Sequence, residues 1–318
     1  MEKPIDCVVC GSCVVDVLVR PVPLAVPIGS GNLMQTEALQ LTTGGIVSNS
    51  GIALARLGMC VAAFSYVGDD QWADSLRSGY EAEGLDASHL LTHETAPTST
   101  TAVLIDAGGE RSFLHAVGAP KKLNKRVFLE NLELFARSRV MLLGYYSLLP
   151  NLQDELPEVL AALREVGCQT ALDAAGDGGQ LQPLDRCLPH LNFYVPSHGE
   201  AIHQTGETDP QRILQVYRQA GATGLLGVKL GAEGALLSPR TGEFIEIDAI
   251  QPPGKVIDTT GAGDSFYAGL LAGVLRGMSV TDAGRLAAAV GACCVTGLGA
   301  SSAIKGFRET CDLAGLQS

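Results

Sequence analysis

The chain alternates apolar runs of strand character with segments of helical periodicity, and that alternation narrows its fold more than any other feature. IDCVVCG near the start is followed by a helical pattern over about 48–57, then by CVAAFSYVG, then by a helix with Trp72, Leu76 and Tyr80 in register. VMLLGYY, a helix with Leu156, Leu160 and Leu163 that ends at Gly167, QTALDAA, FYVPS, a helix around Ile213 to Tyr217, and LLGVKL continue the order. Apolar strands separated by helices predict an α/β fold, a doubly wound and mostly parallel sheet with helices on both faces. Two stretches break the rhythm. Residues 14–43 carry no helical pattern, and TSTTAVLIDAGGERSFLHA, residues 98–116, reads as two strands around a DAGGE turn. They predict a small β-sheet beside the main domain, either a lid over a site or a pair of static edge hairpins. The expected division is a core of residues 1–13, 44–97 and 117–318 and a β lid of residues 14–43 and 98–116.

With 318 residues and 46% hydrophobic content the chain can bury a large core. Its net charge of −12, without a basic block, argues against nucleic acid and against acidic membrane surfaces as partners. No apolar run of about 18 residues occurs, and MEKPIDCVVCG lacks the basic and apolar regions of an export signal. The nine cysteines then read as reduced thiols, and the expected location is the cytoplasm. Cys7, Cys10 and Cys13 form CxxCxxC without a fourth cysteine. In a strand that spacing turns Cys10 away from Cys7 and Cys13, which predicts core thiols and not cluster ligands. His198 and His203 stand five apart in HGEAIH, which is not the HExxH zinc pattern.

The run VIDTTGAGDSFYAGLLAGVL, residues 256–275, joins a glycine turn to a nearly unbroken apolar stretch. Val256 and Ile257 read as a strand end, Thr259 to Gly263 as a tight turn, and the rest as a buried helix stopped by Gly277. A glycine turn feeding a helix N-terminus presents unpaired N–H groups and a partial positive charge, which suits an anion. Asp264 at that junction reads either as a helix cap or as a group placed to receive a proton. There is no GxxxxGK[ST], no third glycine of a dinucleotide fingerprint and no GxSxG elbow. What remains is a set of loops, GSCVVD, GGIVSNSGIALARLG, VPSHGE, VKLGAEG and DTTGAGD. Four follow predicted strands, so they converge at the strand ends where open α/β sheets bind ligands.

GGIVSNSGIALARLG followed by YVGDD, with DTTGAGDSFYAG later in the chain, resembles the two signature motifs of the ribokinase-like, or pfkB, carbohydrate kinases, over nearly the whole length. The resemblance implies ATP-dependent transfer of the γ-phosphoryl group to a sugar or sugar-derivative hydroxyl, with Mg²⁺. The alternatives are a nucleoside kinase on the same fold and a non-catalytic sugar-binding protein. Carried onto matching positions, it implies Asp264 as catalytic base and the Gly261, Ala262 and Gly263 amides as anion hole. Asp16, Gly44, Gly45 and Asn49 then hold the acceptor, on the far side of the cleft from Asp264. Ser197, Lys229, Gly231 and Gly234 line the nucleotide, and Glu200 organises Mg²⁺ through water, although Ser197 stands where the family's NxxE motif has asparagine. A K⁺ site is implied at Asp258, Thr260, Cys294, Gly297 and Gly299, with Ala303 where ribokinases carry a serine. Ile46 and Val14 replace a lysine and an asparagine of ribokinases, which implies a more apolar pocket and an acceptor other than ribose. His115 faces either the acceptor or solvent. The resemblance also implies a homodimer joined through the lid.

Overall fold

The computed structural model describes residues 3–25, 33–176 and 178–317; residues 1–2 of the predicted core, 26–32 of the predicted lid, and positions 177 and 318 lie outside the described residues. The chain opens with β1 (Ile5–Gly11), crosses through β2 (Val14–Val19) and β3 (Gln40–Gly44), and enters α1 (Gly45–Arg56). It continues through β4 (Val61–Val67), α2 (Gln71–Ala82), β5 (Leu90–Thr92), β6 (Thr100–Ile105) and β7 (Arg111–Ala116). Next come α3 (Lys125–Glu130), α4 (Leu132–Ala136), β8 (Ser138–Gly144), α5 (Leu156–Glu165), β9 (Gln169–Leu172), α6 (Leu181–Cys187) and β10 (Phe193–Tyr194). The last third holds α7 (His198–Thr205), α8 (Pro210–Gln219), β11 (Leu225–Lys229), β12 (Ala235–Ser238), β13 (Ile245–Ile247), α9 (Ala262–Leu275), α10 (Val280–Cys294) and α11 (Phe307–Ala314).

Nine strands form one sheet in the order β13-β12-β11-β10-β9-β8-β1-β4-β5, parallel except where β12 and β13 fold back antiparallel at one edge. Because successive side chains of a strand point to opposite faces, β1 feeds two cores. Cys7 and Val9 pack with α1, α9 and α10 on one face, while Val8 and Cys10 pack with α3, α5 and α8 on the other. Cys13 joins the first core and all three thiols are buried and free, as the strand spacing predicts. The second sheet, β3-β2-β6-β7, is the predicted small one, with β6 and β7 joined across Asp106–Glu110.

Some boundaries differ from the sequence reading. α1 begins at Gly45, three residues earlier than its apolar period suggests, and its first turn is already buried: Ile46 and Val47 join the core, and Ser48 Oγ donates to the Gly44 carbonyl at 2.7 Å and meets Tyr80 Oη at 2.8 Å. Asn49 is therefore inside the helix and is not its cap. Val256 and Ile257 form no strand; both are exposed in an irregular segment whose N–H groups at Ile257 and Asp258 donate to the Val295 carbonyl. Ile46 packs into the core against Gly144 and does not line the acceptor side.

Candidate active site

The crossing from β2 through β3 into α1 builds one wall of a cleft. Asp16 on β2 is in register with Thr42 on β3 and Thr101 on β6, so all three face the same way. The paired glycines that follow have different causes. A side chain on Gly44 would run into the Asp16 carboxylate, whereas Gly45 sits at φ +79°, where L-residues are disfavoured, and a Cβ there would lie 2.5 Å from the Ser12 carbonyl oxygen. Asp16, Gly44, Gly45, Asn49 and Tyr145 border a cavity of about 150 Å³, which Arg111, Asp258, Thr260 and Gly299 also line. Its apolar lining comes from Leu18, Val103, Ile105, Phe113 and Leu298. Burial raises the Asp16 carboxyl to about 6, against a hydrogen bond from Thr101 that favours the charged form. His115 lies on the exposed part of β7, its Nδ1 2.9 Å from Thr101 Oγ1.

Asp264 is buried in the first turn of α9, and its carboxylate is held from two sides. Asn49 Nδ2 and Tyr145 Oη each donate to the same oxygen, Oδ2, at 2.7 Å, and Ser50 Oγ donates to the Asp264 main-chain carbonyl at 3.0 Å. Burial raises the Asp264 pKa above the usual carboxylate range, while the bonds from Asn49 and Tyr145 and the charge of Lys229 oppose the rise. Asn49 was expected across the cleft from Asp264. It instead borders the cavity while its amide holds the Asp264 carboxylate, because α1 packs directly on α9.

At the helix start, Gly261 takes φ +75° in close contact with Ala300, where no larger residue fits. The Ala262 N–H turns back to the Thr259 carbonyl at 3.2 Å. Of the three residues expected to form an anion hole, Ala262 thus has its N–H engaged, whereas Gly263 stands in the first turn, where backbone N–H groups have no partner within the helix. Lys229, at the end of β11, reaches the same place: its Nζ lies 3.3 Å from Asp173 Oδ1, and a Cβ on Gly263 would be 3.3 Å from that ammonium. Burial would lower the Lys229 pKa, but Asp173, Glu200 and Asp264 together raise it, so the ammonium stays charged beside the helix start. Gly231 and Gly234 form the turn after β11, where the Leu230 N–H donates to the Gly234 carbonyl at 2.8 Å. Ser197 and Glu200 form a capping box on α7: the Ser197 N–H donates to Glu200 Oε2 at 2.7 Å, and the Glu200 N–H donates to Ser197 Oγ at 3.4 Å. The Ala175 N–H donates to Glu200 Oε1 at 2.9 Å. Each carboxylate oxygen keeps acceptor capacity, as a hard cation held through water requires.

The residues expected to cage K⁺ do come together, but the Asp258 carboxylate among them is already paired with a cationic side chain. Asp258 Oδ1 accepts from Arg111 Nη1 at 2.6 Å and from the Thr260 N–H at 2.9 Å, and Oδ2 accepts from the Gly299 N–H at 2.7 Å. Cys294 Sγ lies 3.4 Å from the Thr260 carbonyl oxygen and 3.1 Å from that of Ala300. Gly297 packs against Ser302 and Ala303. The set does not fit an alkali ion, because the central carboxylate already faces a guanidinium. Arg111, Tyr145 and Asp173 are the site residues that the sequence reading missed. Tyr145 and Asp173 lie directly beyond the ends of β8 and β9, and the strand-end rule that picked out the glycine loops applies to both.

The model of the pfkB family carbohydrate kinases matches residues 5–305. Ribokinase of Haemophilus influenzae is 28% identical over 287 residues, covering 88% of this chain and 90% of that protein. Arabidopsis thaliana ribokinase, solved with ribose and ATP, superposes with a TM-score of 0.82 at 22% identity over 100% of both chains. An E. coli chain described as a ribokinase II, solved with ATP and Mg²⁺, gives a TM-score of 0.81 at 20% identity, covering 98% of this chain and 99% of its own. With a family match over nearly its full length and the glycine turn, buried aspartate and second sheet in place, the chain belongs to the pfkB family of carbohydrate kinases.

Proposed function

We propose that this kinase transfers the γ-phosphoryl group of ATP to a hydroxyl of a single-ring sugar or sugar derivative, with Asp264 as the base. The observation that carries the reading is the double hold on Asp264 Oδ2, which leaves Oδ1 to accept the proton of an acceptor hydroxyl. Alcohol acidity rises only as its oxygen bonds phosphorus, so a carboxylate accepts the proton late in an in-line displacement. Charge on the phosphoryl oxygens meets the Gly261 and Gly263 amides and the Lys229 ammonium. Mg²⁺, held through water by Glu200, would neutralise phosphate charge when bound. Ser197, Gly231 and Gly234 are assigned to the nucleotide side. Asp16 with Gly44 and Gly45 is assigned to the acceptor, and the β2-β3-β6-β7 sheet to the lid that excludes water. A cavity of about 150 Å³ suits one ring, being below the roughly 300–1,000 Å³ of sites for larger ligands.

A nucleoside acceptor is the second reading, favoured by Phe113 and Tyr145, two aromatic rings on the cavity wall. ATP consumption over a panel of sugars, sugar acids and nucleosides separates the two, and consumption with none of them would remove both. Asp264→Asn should retain fold and nucleotide binding while losing about 10²-fold or more in turnover. A variant that turns over at the parental rate would reduce Asp264 to a helix residue.

We further place the protein in the cytoplasm as a homodimer. Supporting this are nine cysteines free of disulfides and, among the described residues, no helix long and apolar enough to cross a membrane. For the dimer, the support is the face of the lid sheet turned away from the cavity, where Val17, Val19, Leu41, Leu104 and Leu114 lie and Leu41 and Leu114 are exposed.

A further inference from the structure

Arg111 opens β7 on the lid sheet, yet its guanidinium ends on the core. Nη1 lies 2.6 Å from Asp258 Oδ1 and 2.9 Å from Thr260 Oγ1. The pair is sheltered, with 3% of the Asp258 side chain and 17% of the Arg111 side chain exposed. Asp258 stands three residues before the glycine that starts α9, so an unpaired carboxylate there would oppose the anion that the helix N-terminus is shaped to hold. Some positive group must offset it. An alkali ion needs several oxygens with free lone pairs aimed at one point. Here Asp258 Oδ1 already takes two donors, one of them a guanidinium whose charge fills the place of a cation, and the Cys294 thiol faces the Thr260 carbonyl.

We propose that the Arg111 guanidinium is the resident counter-charge of the anion hole, standing in for a monovalent cation and delivered to Asp258 by the lid. The inference rests on the kinase reading above for its catalytic consequence, though not for the pairing itself. Arg111 is a positioning residue: it touches the turn that shapes the hole through Asp258 and Thr260. Two properties follow. The protein is indifferent to K⁺ against Na⁺, since guanidinium carries its charge at every working pH. The hole is also complete only while β7 lies over the cleft, which couples lid position to catalysis.

The test compares the parent with Arg111→Ala and Arg111→Lys in KCl, NaCl and choline chloride at one ionic strength. Thermal melting needs no substrate, so it decides the pairing even if the acceptor panel finds nothing; ADP formation is then read with whichever acceptor the panel supplies. The parent should melt and turn over alike in all three salts. Arg111→Ala should lose about tenfold or more in turnover, less than the loss of a direct oxyanion donor or similar to it. Its freed carboxylate should make melting temperature and rate rise with K⁺ over choline, as binding to the folded state alone requires. Arg111→Lys, which keeps the charge on a single donor group, should retain more turnover than the alanine variant and guards against a variant that fails to fold. A parent stabilised or activated by K⁺ over Na⁺ and choline would overturn the proposal, and so would an alanine variant as fast as the parent.

Discussion

Asp264 Oδ2 accepts two hydrogen bonds from side chains 215 and 119 positions away in the chain. Under the proposed mechanism, that convergence fixes which oxygen is left for chemistry. Tyr145 contributes from the left-handed backbone region, at φ +58°, which aims its ring from the end of β8 toward α9. Such strain in a non-glycine residue persists where surrounding contacts hold it. Tyr145→Phe deletes one donor to the charged form and keeps the ring. The Asp264 pKa then rises further, so the acid limb of the pH–rate profile should move to higher pH and turnover at neutral pH should fall by about tenfold, within the range of a positioned acid–base group. An unmoved limb would show that Tyr145 does not govern the base. Asp16 offers a separate titration. Its folded carboxyl is raised from 3.8 to about 6 by burial. The folded state therefore binds the proton more tightly than the unfolded state, and this group's contribution to stability is complete below 3.8 and lost as pH rises through about 6. Asp16→Asn should flatten the fall in melting temperature between pH 4 and pH 7 and should raise the acceptor KM far more than that of ATP. A flattened melting curve with an unchanged acceptor KM would assign Asp16 to folding alone.

At the scale of elements, α9 is buried nearly all round, and its contact with α10 is the most extensive helix pairing in the molecule. Gly269 and Gly273 make it possible: a Cβ on Gly269 would come 2.7 Å from Ala287 Cα, and one on Gly273 2.8 Å from Ala283 Cα. Gly269→Ala should thus destabilise the fold by about 1–3 kcal/mol through overpacking, even though alanine is the better helix former. A lowered urea midpoint with unchanged slope checks it; a raised midpoint would mean that α10 gives way. This helix was legible in the sequence because its apolar run is long and its glycines sit on one side. The succession of strands and helices along the chain was legible for the same local reason, since each apolar run and each amphipathic period lies within one element, whereas the order of strands in the sheet was not. Val256 and Ile257 misled as a strand end because two β-branched residues have strand character without a neighbouring strand to pair with. Arg111 was invisible for a different reason, and Tyr145, though at a strand end, gave no sign of its partner. Nothing near either residue in the chain shows that it ends on Asp258 or Asp264, and those contacts exist only once β7 and the end of β8 are brought against residues 258–264.

For the whole molecule the open question is what covers the outer face of the lid. Alternation along β2, β3, β6 and β7 sends Asp16, Thr101, Val103 and Arg111 toward the cleft and Val17, Leu41, Leu104 and Leu114 away from it. Four strands about 4.8 Å apart and six residues long at about 3.3 Å each span only about 400 Å² in plan. A stable interface buries about 800 Å² per partner, so the sheet face alone is too small and the two edge strands, β3 and β7, must take part. A two-fold pairing of lids satisfies this, because each lid then offers the same face and edge to the other. A net charge of −12 on each chain works against association at low salt, so dimerisation should strengthen as salt screens it. Leu41→Asp combined with Leu114→Asp places two carboxylates on each lid without touching the cleft, at side chains 55% and 62% exposed in the single chain. Sedimentation should find the parent dimeric and the double variant monomeric at the same concentration, with the melting transition of the core little changed. Since Arg111 also lies on β7, the monomer should turn over more slowly, its edge strand having lost its support. A parent that sediments as a monomer at all salt concentrations would leave the apolar face without a second copy to cover it, and a double variant that remains dimeric would place the contact elsewhere on the molecule.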